Sequence, residues 1–130
     1  MYALDTNSLI YFFKGMGSVS AHLLGTEPRE VAVPAIAVYE LEVGIAKSTS
    51  PQKRRKQLDD LLRWARMLPF TRLEARASAR IRAELENKGA PIGPLDTLIA
   101  GTAMAHGATL VTRNVDEFGR IDGLKVENWY

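Results

Sequence analysis

Gly93-Pro-Leu-Asp-Thr-Leu-Ile-Ala-Gly-Thr-Ala-Met-Ala-His-Gly-Ala-Thr-Leu-Val-Thr112 carries the fold in miniature. Leu95 to His106 reads as a long helix, opened by a Gly-Pro loop and closed by Gly107, a residue type that readily turns a chain out of a helix. Ala108 to Thr112 then reads as a short buried strand. A helix that hands its chain to a short apolar strand is half of a β-α-β crossover, the unit from which parallel sheets are built.

The alternation extends outward from this stretch. Upstream, Met1 to Leu4 predicts a first strand ending at Asp5, and Thr6 to Phe13 a helix stopped by Gly15 and Gly17. Val19 to Leu24 suggests a second short helix. Val31 to Val33 is a second buried strand, and Pro34 sits where the Ala35 to Ala46 helix can begin. Ser50-Pro51 opens another helix, with Leu58, Leu61, Leu62, Ala65 and Leu68 at helical spacing. Pro69-Phe70 breaks it, with a short strand around Met67 to Thr71, and a helix from about Glu74 to Asn87 buries Ala77, Ile81 and Leu85. Downstream of Thr112, Asn114 to Phe118 predicts a turn or short helix and Leu124 to Glu127 a strand at the sheet edge. Without a repeat, a linker or a low-complexity tract, residues 1–130 read as one α/β domain around a mostly parallel sheet.

Composition narrows the chemistry. Apolar residues at 46% and charged residues at 25% exclude disordered and collagen-like chains. The absence of cysteine excludes a disulfide framework, a thiol nucleophile and a Cys-ligated zinc site, and fits a reducing cytoplasm. Met1-Tyr-Ala-Leu-Asp5 lacks the basic start and apolar stretch of a secretory leader, and the longest apolar run, Val31 to Tyr39, has nine residues. A soluble cytoplasmic protein without a membrane span is therefore expected. Net charge is only +2, but residues 51–90 hold eleven Lys/Arg against five Asp/Glu, leaving six bases and ten acids elsewhere. Such a division suits either a polyanion surface beside an acidic, cation-binding site or simply a pair of solvated helices.

In open parallel sheets, sites gather beyond the C-terminal ends of the strands. Asp5 closes the first strand, Asp116 and Glu117 follow the strand ending at Thr112, and Asp96 lies in the first turn of the Leu95 helix. Each has a plainer reading. Asp5 could cap the Thr6 helix, Asp96 could answer the helix macrodipole, and Asp116 and Glu117 could be surface acids. Glu40 resists one, because Ile36, Ala37, Val43 and Gly44 put it on an apolar stripe where a carboxylate must find a partner. Together the acids suggest an oxygen-only site for a hard cation such as magnesium or manganese. His22 and His106 lack ligand spacing, and structural roles are expected for both, His106 at a helix end beside the terminal carbonyls. Gly15-Met-Gly17 lacks the third glycine of a dinucleotide fingerprint, no Gly-x-Ser-x-Gly elbow is present, and Asn7 stands where a haloacid-dehalogenase-type phosphatase needs its second aspartate.

Four ordered blocks complete the reading: Leu4-Asp-Thr-Asn7, Tyr39-Glu-Leu-Glu-Val-Gly44, Gly93-Pro-Leu-Asp-Thr-Leu-Ile-Ala100, and Leu110-Val-Thr-Arg-Asn114 followed by Asp-Glu-Phe118. In this order, over essentially the whole chain, they resemble the PIN-domain ribonucleases, specifically the VapC-type toxins of type II toxin–antitoxin (VapBC) pairs. The resemblance implies a PIN-like three-layer α/β/α sandwich. It also implies a catalytic acidic cluster of Asp5, Glu40, Asp96 and Glu117, with Asp116 as the alternative fourth acid. Asp5, Asp96 and Glu117 would hold one or two Mg²⁺ or Mn²⁺ ions, with Glu40 contacting metal or its water, and Thr6, Thr112 and Asn114 in support. Ala35 stands near where the family often has a serine, and Glu42, about 200° round the helix from Glu40, reads as surface or interface.

The implied activity is metal-dependent endoribonuclease hydrolysis of phosphodiesters in structured RNA such as tRNA, inhibiting translation. The basic middle then offers Lys53, Arg54, Arg55, Lys56, Arg80 and Arg82, among others, to the RNA backbone. The implied partners are an RNA substrate, a cognate VapB-type antitoxin peptide, and a second copy in a homodimer or toxin–antitoxin hetero-oligomer. A non-catalytic PIN-like RNA- or protein-binding module and a small-substrate phosphohydrolase are the competing readings.

Overall fold

Short strands without a polar side chain, such as Ala3-Leu4 and Val31-Ala-Val33, are satisfied only inside a sheet covered on both faces. The computed structural model, which describes all residues from Met1 to Tyr130, puts them there. Strands β1 (Tyr2–Leu4), β2 (Val31–Pro34), β3 (Arg66–Leu68), β4 (Thr109–Val111) and β5 (Val126–Glu127) form one sheet in the order β3-β2-β1-β4-β5. Every pairing is parallel, with Ala3 beside Ala32 on one side and Leu110 on the other. The connecting helices are α1 (Thr6–Lys14), α2 (Val19–Leu24), α3 (Ala35–Ala46), α4 (Pro51–Trp64), α5 (Arg72–Asn87), α6 (Pro94–Ala105) and α7 (Val115–Phe118).

Strand order fixes the layers. From β1 to β2 to β3 the chain steps one way, and from β3 it returns past β1 to β4 and continues to β5. Right-handed crossovers then place α1 to α4 on one face and α5 to α7 on the other, giving three layers. The chain turns opposite ways from β1 and β4, which are neighbours, so their C-terminal ends flank a topological switch point.

Most expected elements are present, with shifted edges. Leu68, counted both on the helix that follows Ser50 and in a short strand around Met67 to Thr71, lies in β3, because α4 ends at Trp64 and Ala65 is already extended. The helix expected from Glu74 starts at Arg72, where Thr71 and Glu74 form a capping box. A 3₁₀ turn at Pro28–Glu30 was not expected. No helix is long and apolar enough to cross a membrane.

Two contacts brace α6 against α5. Gly101 packs on Ser78 so closely that a Cβ at Gly101 would stand 2.7 Å from the Ser78 Cα and collide with its Oγ. That hydroxyl is buried and has no hydrogen-bond partner. At the far end of α6, His106 Nε2 lies 2.7 Å from Glu74 Oε2, so the expected structural role of His106 is met by a carboxylate rather than by helix carbonyls. Glu74 is buried, and its other oxygen accepts from the Thr71 hydroxyl at 2.6 Å and amide at 2.7 Å. The Thr71 hydrogen bonds, overcoming burial and assisted by His106, hold the Glu74 carboxyl down at about 2. Its contribution to stability is complete above the ordinary value of 4.5 and is lost as the pH falls through about 2.

Candidate active site

The switch-point crevice gathers side chains from four separate segments. Asp5 leaves β1 and caps α1, accepting from the Ser8 amide at 2.8 Å, while its own amide donates to the Val111 carbonyl at 3.0 Å. The capping reading of Asp5 and the site reading thus describe one side chain. Asp5 is buried, which raises its carboxyl above the ordinary range, while the hydroxyl of Thr112 and the Ser8 amide pull the other way. Thr112 is fully buried, and its Oγ1 also accepts from the Asn114 amide at 3.0 Å.

Glu40 comes from the second turn of α3 and finds its partner across 34 residues: the Thr6 hydroxyl donates to Oε1 at 2.7 Å. Asp96 stands at the third position of α6, behind Gly93-Pro94. A helix N-terminus stabilises a carboxylate by no more than about 1 kcal/mol at an exposed position. Here the opposite effect wins. Burial first, then the charges of Glu117, Asp5 and Glu40, push Asp96 up to about 6. Asp96 and Glu117 lie close enough to share a hydrogen bond, and Asn114 Nδ2 donates to the second oxygen of Glu117 at 2.6 Å. The Gly93 amide also reaches Glu117, at 3.4 Å. Asp116 is exposed and takes part in no side-chain hydrogen bond or ion pair, so the cluster forms around its neighbour.

Asp96 lies within electrostatic reach of Glu117, Asp5 and Glu40, and a set of oxygen donors only suits a hard divalent cation. No group of three closes into a ready-made metal cage. Mg²⁺ commonly binds through one or two carboxylates, several waters and substrate phosphate oxygens, and so does not require three.

Beside Glu40 lies a cleft of ≈ 420 Å³ between α1, α3 and α4, with Lys14, Lys53 and Arg54 on its rim. Those three cations form no ion pair. Of the other basic candidates, Arg55 pairs with Glu42 at 2.6 Å, Lys56 with Asp60 at 2.8 Å and Arg82 with Glu86 at 3.1 Å. Glu42 is therefore a surface partner and not part of the acidic cluster. Arg80 is unpaired but lines another cavity, together with Ile81 and Asp122. Sequence reasoning missed Ser8, Gly93 and Lys14. The interval from Asp5 to Ser8 is an ordinary N-cap spacing and could have found the first.

This arrangement defines a small α/β protein with an acidic switch-point site, and the PIN domain family model matches residues 2–124. The chain belongs to the PIN-domain family. It is 37% identical to ribonuclease VapC2 of Rickettsia felis over 99% of this chain and 98% of that protein. It is 32% identical to the tRNA(fMet)-specific endonuclease VapC of Salmonella typhimurium, covering 98% and 97%. Among solved structures, VapBC2 from Rickettsia felis bound to a promoter DNA fragment matches with a TM-score of 0.91, covering 99% of this chain and 98% of that one, at 37% identity.

Proposed function

We propose that this chain is a VapC-type toxin, a divalent-metal-dependent endoribonuclease that cuts structured RNA such as tRNA and is held in check by a cognate VapB-type antitoxin. The observation that carries this reading is the convergence of Asp5, Glu40, Asp96 and Glu117 at the switch point, with Asp96 pushed up to about 6 by burial and its acidic neighbours. Such a cluster is costly unless a cation binds there. The similarity to VapC ribonucleases supports the substrate, and the VapBC complex among its structural neighbours supports the antitoxin partner and an oligomeric assembly.

Asp5, Asp96 and Glu117 would hold Mg²⁺ or Mn²⁺. When bound, such an ion supplies Lewis acidity that polarises a phosphodiester and acidifies water. Thr112 orients Asp5, and Asn114 orients Glu117. Glu40, fixed by Thr6, orients the attacking water and accepts its proton. Lys53 and Arg54, on the cleft beside Glu40, are placed to meet RNA phosphates.

Purified protein given a pool of structured RNAs should cleave with Mg²⁺ or Mn²⁺ and stop with EDTA, leaving 5′-phosphate and 3′-hydroxyl ends. A 2′,3′-cyclic phosphate product would overturn the reading, because it requires the RNA 2′-hydroxyl as nucleophile. Thr6→Val, which keeps the shape and removes the donor to Glu40, should slow cleavage about tenfold, the equivalent of one lost hydrogen bond. Thr6→Ser should restore the rate, and melting curves should show both proteins folded.

A further inference from the structure

Between Thr112 and Asn114, which reach Asp5 and Glu117, stands Arg113, a residue with no role so far. It is exposed and forms no ion pair, yet it is held. Its guanidinium carbon lies 3.6 Å from the centroid of the Tyr130 ring and 5.7 Å from that of Tyr11, and the two rings meet edge-on at 4.9 Å. Tyr130 is itself fixed. Its amide donates to Asn128 Oδ1 at 2.9 Å, and its ring presses on Gly17, where a Cβ would stand 2.8 Å from the ring carbons. Gly17 also has a φ of +62°, so both the space and the backbone there call for glycine. The adjoining Trp129 is buried, stacked on His22 at 5.1 Å and tilted against Tyr2 at 5.0 Å.

Stacking uses the face of a guanidinium and leaves its edge N–H groups free, in the plane that matches two oxygens of a phosphate. The need for such a cation is local. A polyanion approaching four carboxylates is repelled, and the field of a fixed positive charge at the same loop offsets that repulsion.

We propose that Arg113, its guanidinium set over the Tyr130 ring with Tyr11 as backing, is a substrate-positioning residue that takes a backbone phosphate of the RNA strand at the loop that also carries Thr112 and Asn114. The inference rests on the ribonuclease reading and adds to it a named phosphate contact and its support.

Steady-state cleavage of a labelled RNA stem–loop, run over a range of salt concentrations, tests it. Arg113→Ala should raise KM about tenfold, hold kcat within about threefold, and flatten the salt dependence by about one phosphate contact. Tyr130→Ala should raise KM about threefold through loss of stacking, and Tyr130→Phe, which keeps the ring, should behave as the unsubstituted protein. An unchanged KM and salt slope in Arg113→Ala, beside unsubstituted protein that cleaves, would overturn this inference alone. A fall in kcat with KM unchanged would also overturn it, assigning Arg113 to the support of Thr112 and Asn114. Direct binding of the same RNA in EDTA separates the two readings. Protein that binds RNA in EDTA but does not cleave it with Mg²⁺ or Mn²⁺ fails the ribonuclease reading, while weaker binding by Arg113→Ala still supports the phosphate contact. Protein that neither binds nor cleaves fails both.

Discussion

Replacing Asp96 by Asn should reduce RNA cleavage by more than about 100-fold and, in metal-free buffer at pH 7.5, raise the melting temperature. The two effects have one cause. In the fold the Asp96 carboxyl is pushed up from 3.8 to about 6, by burial and by Glu117, Asp5 and Glu40. A carboxyl raised in this way favours the folded state most below pH 3.8, and the advantage is lost as the pH climbs through about 6. At pH 7.5 the folded chain therefore carries the full cost of an ionised Asp96, which the amide removes. The stability gap between the two proteins should close as the pH is lowered towards 3.8. Saturating Mg²⁺ or Mn²⁺ should raise the melting temperature of the unsubstituted protein and narrow the gap from the other side. Thermal melts at three pH values, with and without metal, check all of this. An Asn protein that melts lower than its parent at pH 7.5 without metal would show that the acidic cluster is not under electrostatic strain.

The largest effect on stability should come from Gly101→Val. Gly101 lies where α6 presses against α5, and a side chain there meets the Cα, Cβ and Oγ of Ser78. The struck atoms include backbone, so no rotamer change relieves the collision and the helices must separate. Overpacking of this kind costs about 3 kcal/mol or more, a large share of the 5–15 kcal/mol typical for a domain. Gly44 is the internal control. It too is inside a helix, but a Cβ there meets nothing within 4 Å, so Gly44→Ala should stabilise by about 0.5–1 kcal/mol. Ser78→Ala removes the unpartnered buried hydroxyl and should cost nothing or stabilise by ~1 kcal/mol. Chemical denaturation of the three variants reads all the signs, and equal behaviour of the two glycine variants would refute the close-packing account.

The elements legible from the amino acids were those marked by local chemistry. Asp5 after four apolar residues, Gly15 and Gly107 after helical runs, and Pro51 and Pro94 at helix starts each signal a boundary through the backbone's own preferences. Glu40 stood out because an ionisable group interrupted an apolar stripe. Thr6 was named by resemblance as a supporting residue, but its pairing with Glu40, 34 residues away, was not legible, because no local pattern encodes a contact between two separate helices. Leu68 was open to two readings for a related reason: its spacing from Leu61 and Leu62 fits a helix, its place before Pro69 fits a strand, and pairing with Pro34 of β2 decides for the strand. The links of His106 to Glu74 and of Arg113 to Tyr130 were invisible, since each joins residues brought together only by tertiary packing. Between Asp116 and Glu117 the resemblance preferred Glu117, the acid immediately before Phe118, and it is this side chain that Asp96 and Asn114 reach in the fold.

Asp5 serves two masters, and this bears on how a chain of this kind can decay. A descendant released from cutting RNA can discard Asp96 and gain stability. Loss of Asp5 would also strip the Ser8 amide of its acceptor at the start of α1, a cap of about 1 kcal/mol. Relics of this lineage should therefore shed their acids in order, with the first aspartate the last to go. Its survival in such a chain testifies to folding and is silent about catalysis.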